Sequence, residues 1–476
     1  MKCEQVDDIS STIRNRMYTP AKKSVLLFIS SLASFLVPCT VSSLNVALPA
    51  IGSSFGLDAV TLGWVTTAYL LIAAVCMLPF GRFADMYGRK RIFIIGNLLF
   101  AFGSLVAAFS WSGGSIILAR MIQGLGGAMV FSTSMAIITV VFPPGERGRA
   151  IGIITATVYA GLSLGPVLGG VLTQIFGWPS IFLVNVPLAL VVVALTLRYL
   201  KDEWIDRETR FDMWGTVLYG CTLTGIMYGL TVLPTPAGIF WICGGVTGGI
   251  FFAIWEKKQE NPLINLSIFR TNRTFLCSNI AAMINYSVVF AVGFLVSLSL
   301  QYNRGFDPIT TGMVLLAQPL VQTIVSPIAG RVSDTIEPAI IATLGMVITT
   351  IGLAVLLVVL PAFPILYILF GLAVLGLGYG LFSSPNTNAI MSSVHVRDLG
   401  MASGMVATMR SIGQLISLAI AMMVFSLVIG TVEIVPAVYQ QLEVSTSIIF
   451  SLFIIIGIFG IITSYVRGTV QKNEPA

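Results

Sequence analysis

Long apolar runs, separated by short polar connections, dominate the whole sequence. Each run is about 20 residues long and continuous, the length of an α-helix that crosses the hydrocarbon core of a bilayer. A membrane-spanning β-strand would be shorter and would alternate apolar with polar residues, so the runs predict helices. Fourteen spans are predicted, at 24–48, 60–80, 92–110, 114–142, 150–173, 180–199, 212–233, 237–255, 274–300, 310–330, 339–360, 364–391, 401–429 and 447–466.

The composition indicates an all-α polytopic membrane protein. Of the 476 residues, 56% are hydrophobic and 10% are charged, and the mean hydropathy is +0.94. Soluble proteins carry about 25% charged residues, so this chain has more apolar surface than a water-soluble core can hide. The net charge of +6 does not indicate nucleic acid as a partner, because the cations lie in short connections between the spans.

The sequence predicts no cofactor and no metal ion. The six cysteines are not grouped at metal-ligand spacing, and most lie in or beside apolar runs, where cysteine acts as a small apolar residue. The phosphate-binding pattern Gly-x-x-x-x-Gly-Lys-Ser/Thr does not occur. No nucleophile–base pair or metal cluster appears in the sequence, so an enzyme is not expected.

The basic residues predict the orientation of the chain in the membrane. All but three of the 26 Lys and Arg residues fall on one side of this layout; the exceptions are Arg304 in an opposite loop and Arg120 and Arg410 within spans. Because short loops rich in Lys and Arg stay in the cytoplasm, we expect a multi-pass cell-membrane protein with both termini cytoplasmic. Residues 1–23 are predicted to be a cytoplasmic tail rather than a cleaved signal peptide.

The stretch Gly81–Arg91 joins the second and third predicted spans. It contains four cations and one carboxylate between two apolar runs, which predicts a tight hairpin, and its glycines suit a short turn. The stretch resembles the signature loop of the major facilitator superfamily, through Gly81, Asp85, Gly88, Arg89 and Lys90. The segment Gly330-Arg331-Val332-Ser333-Asp334, which follows the tenth predicted span, echoes the start of that loop.

This resemblance implies the fold of the superfamily, with two six-helix bundles related by a repeat and here two inserted linker helices. Residues 24–199 would form the N-terminal bundle and residues 274–466 the C-terminal bundle. Residues 200–273 would be a linker with the two extra helices, and residues 467–476 a cytoplasmic C-terminal tail. Asp85 and Arg89 would help to hold the cytoplasmic side closed.

In the fourth predicted span, Arg120, Gln123 and Gly124 lie on one helical face. An arginine inside the membrane is unfavourable by about 2.5–3.5 kcal/mol on insertion scales, so a cavity, a carboxylate or backbone carbonyls must solvate it. Arg120 either snorkels to the headgroups or faces a cavity and acts on the substrate or on proton coupling. The stretch resembles the fourth-span motif Arg-x-x-Gln-Gly of the superfamily, which implies the second role.

The fifth predicted span carries glycines at four-residue spacing. Gly161, Gly165 and Gly169 share one face, which lets another helix approach closely, and Pro166 removes one backbone hydrogen bond and bends the helix. A packing motif is sufficient to explain this pattern. Together with Gly170, the stretch also resembles the antiporter motif Gly-x-x-x-Gly-Pro-x-x-Gly-Gly of exporters, which implies a helix that bends and seals.

The first span ends with Asn45-Val46-Ala47-Leu48-Pro49. This ending resembles that of the fourteen-span drug/proton antiporters, the EmrB/QacA-like branch. The branch usually has an aspartate five residues before this asparagine, and here the residue is Thr40, which does not titrate near neutral pH. All twenty Asp and Glu residues fall in tails, loops or span ends, so proton coupling would use a peripheral group such as Asp85 or Asp212.

By analogy with the superfamily, the first and fourth spans of each half line the central path. Polar residues in those spans are therefore candidates for contact with the substrate, although hydrogen bonding between helices is an equally good explanation for any one of them. Asn279 and Tyr286 are seven residues apart and share a face, whereas Asn386 and Asn388 cannot both point at the path. The candidates are Thr40, Asn45, Arg120, Gln123, Asn279, Tyr286, Asn386 and Asn388.

The resemblance implies a monomeric secondary transporter that exports small molecules, including drugs, in exchange for protons by alternating access. Two alternatives stay open. The chain is a facilitator or importer of a metabolite or organic anion without proton coupling, or it is a transport-dead membrane sensor or scaffold. The lack of a carboxylate deep in the spans favours the facilitator, and the fifth-span motif favours the exporter.

Overall fold

The computed structural model describes residues 20–142, 144–200, 211–259, 269, 272–333, 335–394, 399–430 and 432–468. Within these ranges the chain forms fourteen helices that are long and apolar enough to cross a membrane, as the sequence predicts. Most of both predicted tails, parts of the predicted linker and Asp334 of the echoed motif lie outside the described residues.

The helices are numbered in chain order. The first bundle consists of α1 (Pro20–Phe55), α2 (Ala59–Tyr87), α3 (Arg89–Ala108), α4 (Gly113–Val141), α5 (Pro144–Phe176) and α6 (Ser180–Tyr199). Two further helices are α7 (Met213–Val232) and α8 (Pro236–Glu256). The second bundle consists of α9 (Arg273–Asn303), α10 (Pro308–Val332), α11 (Pro338–Ala362), α12 (Ile365–Ser392), α13 (Leu399–Val428) and α14 (Tyr439–Val466).

Because consecutive spans alternate in direction, the connections lie on two faces of the molecule. We call the face at which the described chain begins and ends the basic face; it also contains the connections after α2, α4, α6, α8, α10 and α12. The far face contains the connections after the odd-numbered helices. These two names are used below for the two ends of every helix.

The predicted hairpin at Gly81–Arg91 is wrong in its extent. Helix α2 continues to Tyr87 and α3 begins at Arg89, so Gly88 is the single residue between them. Gly88 has a φ of 106°, which residues with a side chain rarely adopt. The charges do not end the helix early, because Arg89 forms an ion pair with Asp85 one turn before it. Several other helices also extend past the predicted apolar limits; α14, for example, begins at Tyr439.

Close contacts at glycine recur at equivalent crossings in the two bundles. A Cβ atom on Gly126 of α4 would lie 2.6 Å from the carbonyl oxygen of Gly96 of α3. A Cβ atom on Gly378 of α12 would lie 2.8 Å from the carbonyl oxygen of Gly345 of α11. Real Cβ atoms stay at least 3.0 Å from such neighbours, so both crossings depend on glycine.

A second pair of contacts lies seven residues further along α3 and α11. A Cβ atom on Gly103 would lie 2.6 Å from the backbone nitrogen of Gln123, and one on Gly352 would lie 2.8 Å from that of Leu375. The third and fourth helices of each bundle therefore cross in the same way. These matched crossings are the three-dimensional form of the repeat.

The two bundles meet mainly along α2–α13 and along α5–α10. In each pair, the second helix of one bundle packs against the fifth helix of the other. The interface therefore follows the pseudo-twofold relation expected of two repeated halves.

Helices α7 and α8 pack against each other beside this interface, and α7 contacts both α2 and α13. The Tyr219 hydroxyl donates to the Ala74 carbonyl of α2, and the Ser426 hydroxyl of α13 donates to the carbonyl of Leu233 just after α7. Asp212 caps the start of α7 and accepts a hydrogen bond from the indole of Trp255 in α8. The inserted pair is thus attached to both bundles.

Arg467, assigned to the C-terminal tail from the sequence, is instead buried in the second bundle, with 1% of its surface exposed. Its guanidinium donates to the side-chain oxygen of Asn386 at 2.7 Å, to the Ser278 hydroxyl and to the Pro338 carbonyl. Burial lowers the pKa of Arg467 to about 10, so it remains protonated at neutral pH. Arg467 joins α9, α11, α12 and the end of α14.

We expect Arg467→Ala to lower the free energy of unfolding by about 2 kcal/mol, because hydrogen bonds to a buried charge are lost. The measurement is thermal unfolding of the purified protein in detergent. Arg198→Ala is the control, since Arg198 is exposed at the end of α6. Equal melting temperatures for the two variants would contradict this role for Arg467.

Candidate functional site

The glycine face of α5 packs against α1, as the four-residue spacing predicts. A Cβ atom on Gly161 would lie 2.6 Å from the carbonyl oxygen of Phe35, and one on Gly165 would lie 2.8 Å from that of Cys39. Gly169 contacts the backbone of Ser43 in the same way. The predicted helix–helix contact is therefore present, inside the first bundle.

Serine side chains reinforce the contact between α1 and α5. The Ser42 hydroxyl donates to the Leu162 carbonyl, and the Ser43 hydroxyl donates to the Gly165 carbonyl, both at 2.8 Å. The Leu162 carbonyl is open to the bond from Ser42 because Pro166, four residues later, has no backbone N–H to donate to it. The bend attributed to Pro166 is thus accompanied by a bond to the neighbouring helix.

The other side of the same motif faces the second bundle. A Cβ atom on Gly170 would overlap the carbonyl group of Pro308, and one on Gly312 of α10 would overlap the carbonyl group of Pro166. The backbone N–H of Ile309 also donates to the side chain of Gln174. The α5 and α10 backbones are therefore in direct contact near the far face.

Helices α1 and α9 add a second contact between the bundles near the far face. The Ser297 hydroxyl donates to the Asn45 carbonyl at 2.6 Å, the Gln301 amide donates to the Val46 carbonyl at 2.9 Å, and the Tyr302 hydroxyl donates to the Pro49 carbonyl. We call the α5–α10 and α1–α9 contacts together the far-face seal. This conformation is closed at the far face.

Thr40 and Asn45 of α1, which the sequence analysis proposed as residues that line the central path, have other contacts in this conformation. Asn45 takes part in the seal through its backbone carbonyl. Thr40 is buried, and its hydroxyl donates to the Leu36 carbonyl of its own helix at 2.7 Å. In this conformation Thr40 stabilises α1 and is not open to a substrate.

Arg120 is fully buried and does not face a cavity, which corrects the expectation of a cavity-facing cation. Its guanidinium donates to the Val65 carbonyl of α2 and to the side-chain oxygen of Gln123, and it lies over the ring of Tyr69 at 4.4 Å. Gln123 in turn donates to the Ser104 hydroxyl of α3. Backbone and side-chain acceptors thus stabilise the charge without a carboxylate.

The signature residues hold the basic-face ends of α2, α3 and α4 together. The Arg89 guanidinium contacts the Asp85 carboxylate at 2.8 Å and donates to the Ala136 carbonyl of α4 at 3.1 Å. Lys90 is half-buried at the start of α3, and Gly81 has open space beside it. The contacts described for Asp85 and Arg89 lie within the first bundle.

Three of the four polar candidates in the second bundle serve packing, which corrects their assignment to the path. Asn279 is buried and its amide donates to the Phe275 carbonyl of its own helix. Asn386 bonds the Ser278 carbonyl and Arg467, and the Asn388 amide donates to the Ser333 hydroxyl at the end of α10. In a membrane helix, an unpaired amide is costly, so each amide binds the nearest backbone or serine.

The fourth candidate, Tyr286, lies at the interface of the two bundles, about halfway along α9. Its ring meets that of Tyr379 of α12 edge to face, with centroids 5.6 Å apart. Tyr159 of α5 lies within electrostatic range of both tyrosines, and its hydroxyl is 3.3 Å from that of Ser383. Three tyrosines from both bundles therefore meet near the middle of the membrane.

Arg410 of α13 completes this group. It interacts electrostatically with Tyr159 and Tyr379, and its guanidinium lies 5.9 Å from the centre of the Phe131 ring of α4. We call Tyr159, Tyr286, Tyr379 and Arg410 the tyrosine–arginine cluster. The sequence analysis identified Arg410 as a charge within a span but did not assign it a role; its position in a membrane helix was the available signal.

The carboxylates of the described residues lie away from this cluster. They belong to connections or to the first or last two turns of helices, and they are Asp58, Asp85, Glu146, Asp212, Glu256, Asp307, Glu337, Glu433 and Glu443. Among the described residues there is also no group of His, Cys, Asp and Glu side chains that could hold a metal ion.

Comparison with known proteins agrees with this architecture. The family model of the Major Facilitator Superfamily matches residues 30–418. The chain belongs to this superfamily. The match indicates a transporter of the major facilitator kind, and such transporters act on small molecules.

Several curated members of the superfamily are similar over most of their length. The riboflavin transporter RibZ of Clostridioides difficile is 32% identical over 82% of this chain and 86% of its own length. The multidrug resistance protein Stp of Mycobacterium tuberculosis is 33% identical over 83% of this chain and 74% of its own. A tetracenomycin C resistance and export protein of Streptomyces glaucescens is 27% identical over 77% of this chain and 69% of its own length.

Solved structures of the superfamily share the fold at low identity. An inward-facing bacterial homologue of the human lysosomal transporter Spinster has a TM-score of 0.68 and 16% identity over 94% of this chain and 98% of its own. A peptide transporter in complex with sulfate has a TM-score of 0.70 and 13% identity over 93% of this chain and 95% of its own.

We expect Gly170→Ala to open the far-face seal, because the added methyl group overlaps the Pro308 carbonyl. The control is Gly152→Ala on the same helix, where no atom lies within 4 Å of the new methyl group. Spin labels at Phe109 and Leu366, which are exposed at the far face in different bundles, report the separation. A longer distance is expected in the first variant, and identical distances in both would contradict the seal.

We expect Arg120→Ala to reduce transport by more than tenfold while the protein still inserts into the membrane. The change leaves the Val65 carbonyl and the Gln123 side chain without their donor and loosens α2 from α4. Arg120→Lys retains the charge but not the fork of donors, so it should recover little. Transport is measured per unit of protein in the membrane, and normal rates for Arg120→Ala would disprove this role.

Proposed function

We propose that this chain exports small organic molecules, drugs among them, through the cell membrane in exchange for protons. In this proposal the basic face is cytoplasmic, the monomer is the working unit, and the bundles 24–199 and 274–466 rock about the interface. The linker 200–273 follows that motion through α7 and α8.

The observation that carries the proposal is the far-face seal. The motif that resembles the antiporter motif of exporters lies at the contact of α5 with both α1 and α10. Through its glycines, α5 contacts α1 in its own bundle and α10 in the other bundle. Backbone contacts of this kind allow the far face to close tightly and to open when the bundles tilt. Similarity to a multidrug resistance protein and to a tetracenomycin C resistance and export protein supports export as the direction.

Proton coupling is proposed to use a carboxylate at a helix end. Asp85 is the stronger candidate, because its partner Arg89 also binds the end of α4. Protonation of Asp85 would break the ion pair and release that connection between α2 and α4. Asp212 is the second candidate, since it lies at the start of α7 beside the two bundles.

A second candidate function is a facilitator or importer of metabolites or organic anions without proton coupling. Its specific support is the absence of a carboxylate from the middle of the spans among the described residues. A sensor or scaffold without transport activity is a third possibility, which any substrate flux would eliminate.

Dye uptake into everted membrane vesicles with an imposed pH gradient tests the proposal. We expect accumulation when the vesicle interior is acidic, its collapse when nigericin removes the gradient, and a loss of coupling in Asp85→Asn. The matched control is Glu146→Gln, which removes an exposed carboxylate paired with Lys23 at the same face. Dye flux that is the same with and without the pH gradient would favour the facilitator instead.

A further inference from the structure

Arg410 differs from the two fully buried arginines, Arg120 and Arg467. Arg120 and Arg467 are enclosed, and hydrogen bonds from both reach backbone carbonyls and side-chain oxygens. Arg410 is half-buried, and within the described part of the chain it forms neither an ion pair nor a hydrogen bond. A cation placed in a membrane helix without such partners indicates a position that meets water or a ligand.

The surroundings of Arg410 are aromatic and come from both bundles. Its guanidinium lies 5.9 Å from the centre of the Phe131 ring of the first bundle, and its charge acts on Tyr159 of the first bundle and Tyr379 of the second. Tyr286 packs against Tyr379. Tyr159 and Tyr286 are half-buried like Arg410, so part of each surface remains accessible. A molecule between these side chains would therefore touch both bundles at once.

The chemistry of the cluster selects a type of molecule. Aromatic side chains provide flat apolar contacts for a planar ring, and tyrosine hydroxyls donate hydrogen bonds to polar groups on its edge. A guanidinium binds a carboxylate, sulfonate or phenolate through paired hydrogen bonds. A cationic ligand would find a like charge here, and the described carboxylates lie at helix ends.

We propose that the tyrosine–arginine cluster is the substrate subsite and that it selects planar aromatic anions. This inference rests on the proposed transport function, and it adds the class of substrate and the residues that recognise it. Arg410 binds the anionic group, and the three tyrosines hold the ring. Because the ligand bridges the bundles, its contacts change as the bundles rock, which links binding to the conformational cycle.

Three fluorescent planar probes of different charge test the subsite: fluorescein, which is anionic at pH 8, riboflavin, which is neutral, and ethidium, which is cationic. Binding to the purified full-length protein is measured by fluorescence anisotropy, and flux is measured in proteoliposomes. We expect fluorescein to bind most tightly. Arg410→Gln should weaken fluorescein binding by about ten- to a hundredfold, the loss of a charged hydrogen-bond pair, with ethidium unchanged or improved.

Further variants separate recognition from structure. Arg410→Lys keeps the charge and should recover part of the fluorescein affinity, and Tyr286→Ala should weaken fluorescein and riboflavin alike. Arg198→Gln removes an exposed arginine at the end of α6 and should behave like the wild type. Melting temperatures of all variants identify any that fail to fold. If Arg410→Gln does not fold, fluorescein binding is compared between the wild type and Arg410→Lys instead.

The outcomes distinguish this inference from the proposed function. Flux of ethidium without binding of fluorescein would overturn the subsite and leave transport standing. Binding of fluorescein that depends on Arg410, without flux of any probe, would support the subsite and count against the exporter. Fluorescein binding that is equal in the wild type and in Arg410→Gln, or that is absent, would also overturn the inference.

Discussion

Direct contact between helix backbones is the interaction on which this structure depends. In a bilayer, apolar side chains gain nothing by leaving the lipid, so helices associate where small residues let their backbones touch. Here the contacts at Gly96–Gly126 and Gly345–Gly378 hold equivalent crossings inside the two bundles. The contacts of Gly170 and Gly312 use the same device between the bundles, where the contact must also be able to separate.

A second constraint acts on the polar groups of the interior, because lipid offers them no hydrogen-bond partner. Arg120 and Arg467 meet this constraint by binding carbonyls and amides from neighbouring helices, so each becomes a junction within one bundle. Arg410 meets it differently, by lying at the interface with accessible surface. The same residue type thus has a packing role at two positions and faces the candidate path at the third.

The two constraints together suggest how the molecule combines stability with motion. Within each bundle, the helices are joined by glycine crossings and by one fully buried arginine. Between the bundles, hydrogen bonds of the far-face seal are joined by contacts of Ser163 with Thr323 and of Tyr159 with Ser383. Such an interface lets each bundle move as a rigid body, while the tyrosine–arginine cluster between them remains in contact with both bundles.

The sequence alone determined the features that depend on the average polarity of long segments and on short local patterns. The fourteen spans follow from apolar length, and the shared face of Gly161, Gly165 and Gly169 follows from helical periodicity; the structure confirms both. Helix ends were less accurate, as at Gly81–Arg91, because the Asp85–Arg89 ion pair lets a helix extend beyond the apolar run.

Tertiary structure decided which polar residue meets which partner. Asn386 and Asn388 are polar positions in the sequence just as Tyr286 is, yet in the folded chain their amides bond to Ser278 and Ser333 on neighbouring helices. Tyr159, Tyr379 and Arg410 come together from three helices that are far apart in the sequence. Hydrogen bonding and electrostatics act over a few ångströms, so the partners of a buried polar group are known only once the helices are packed.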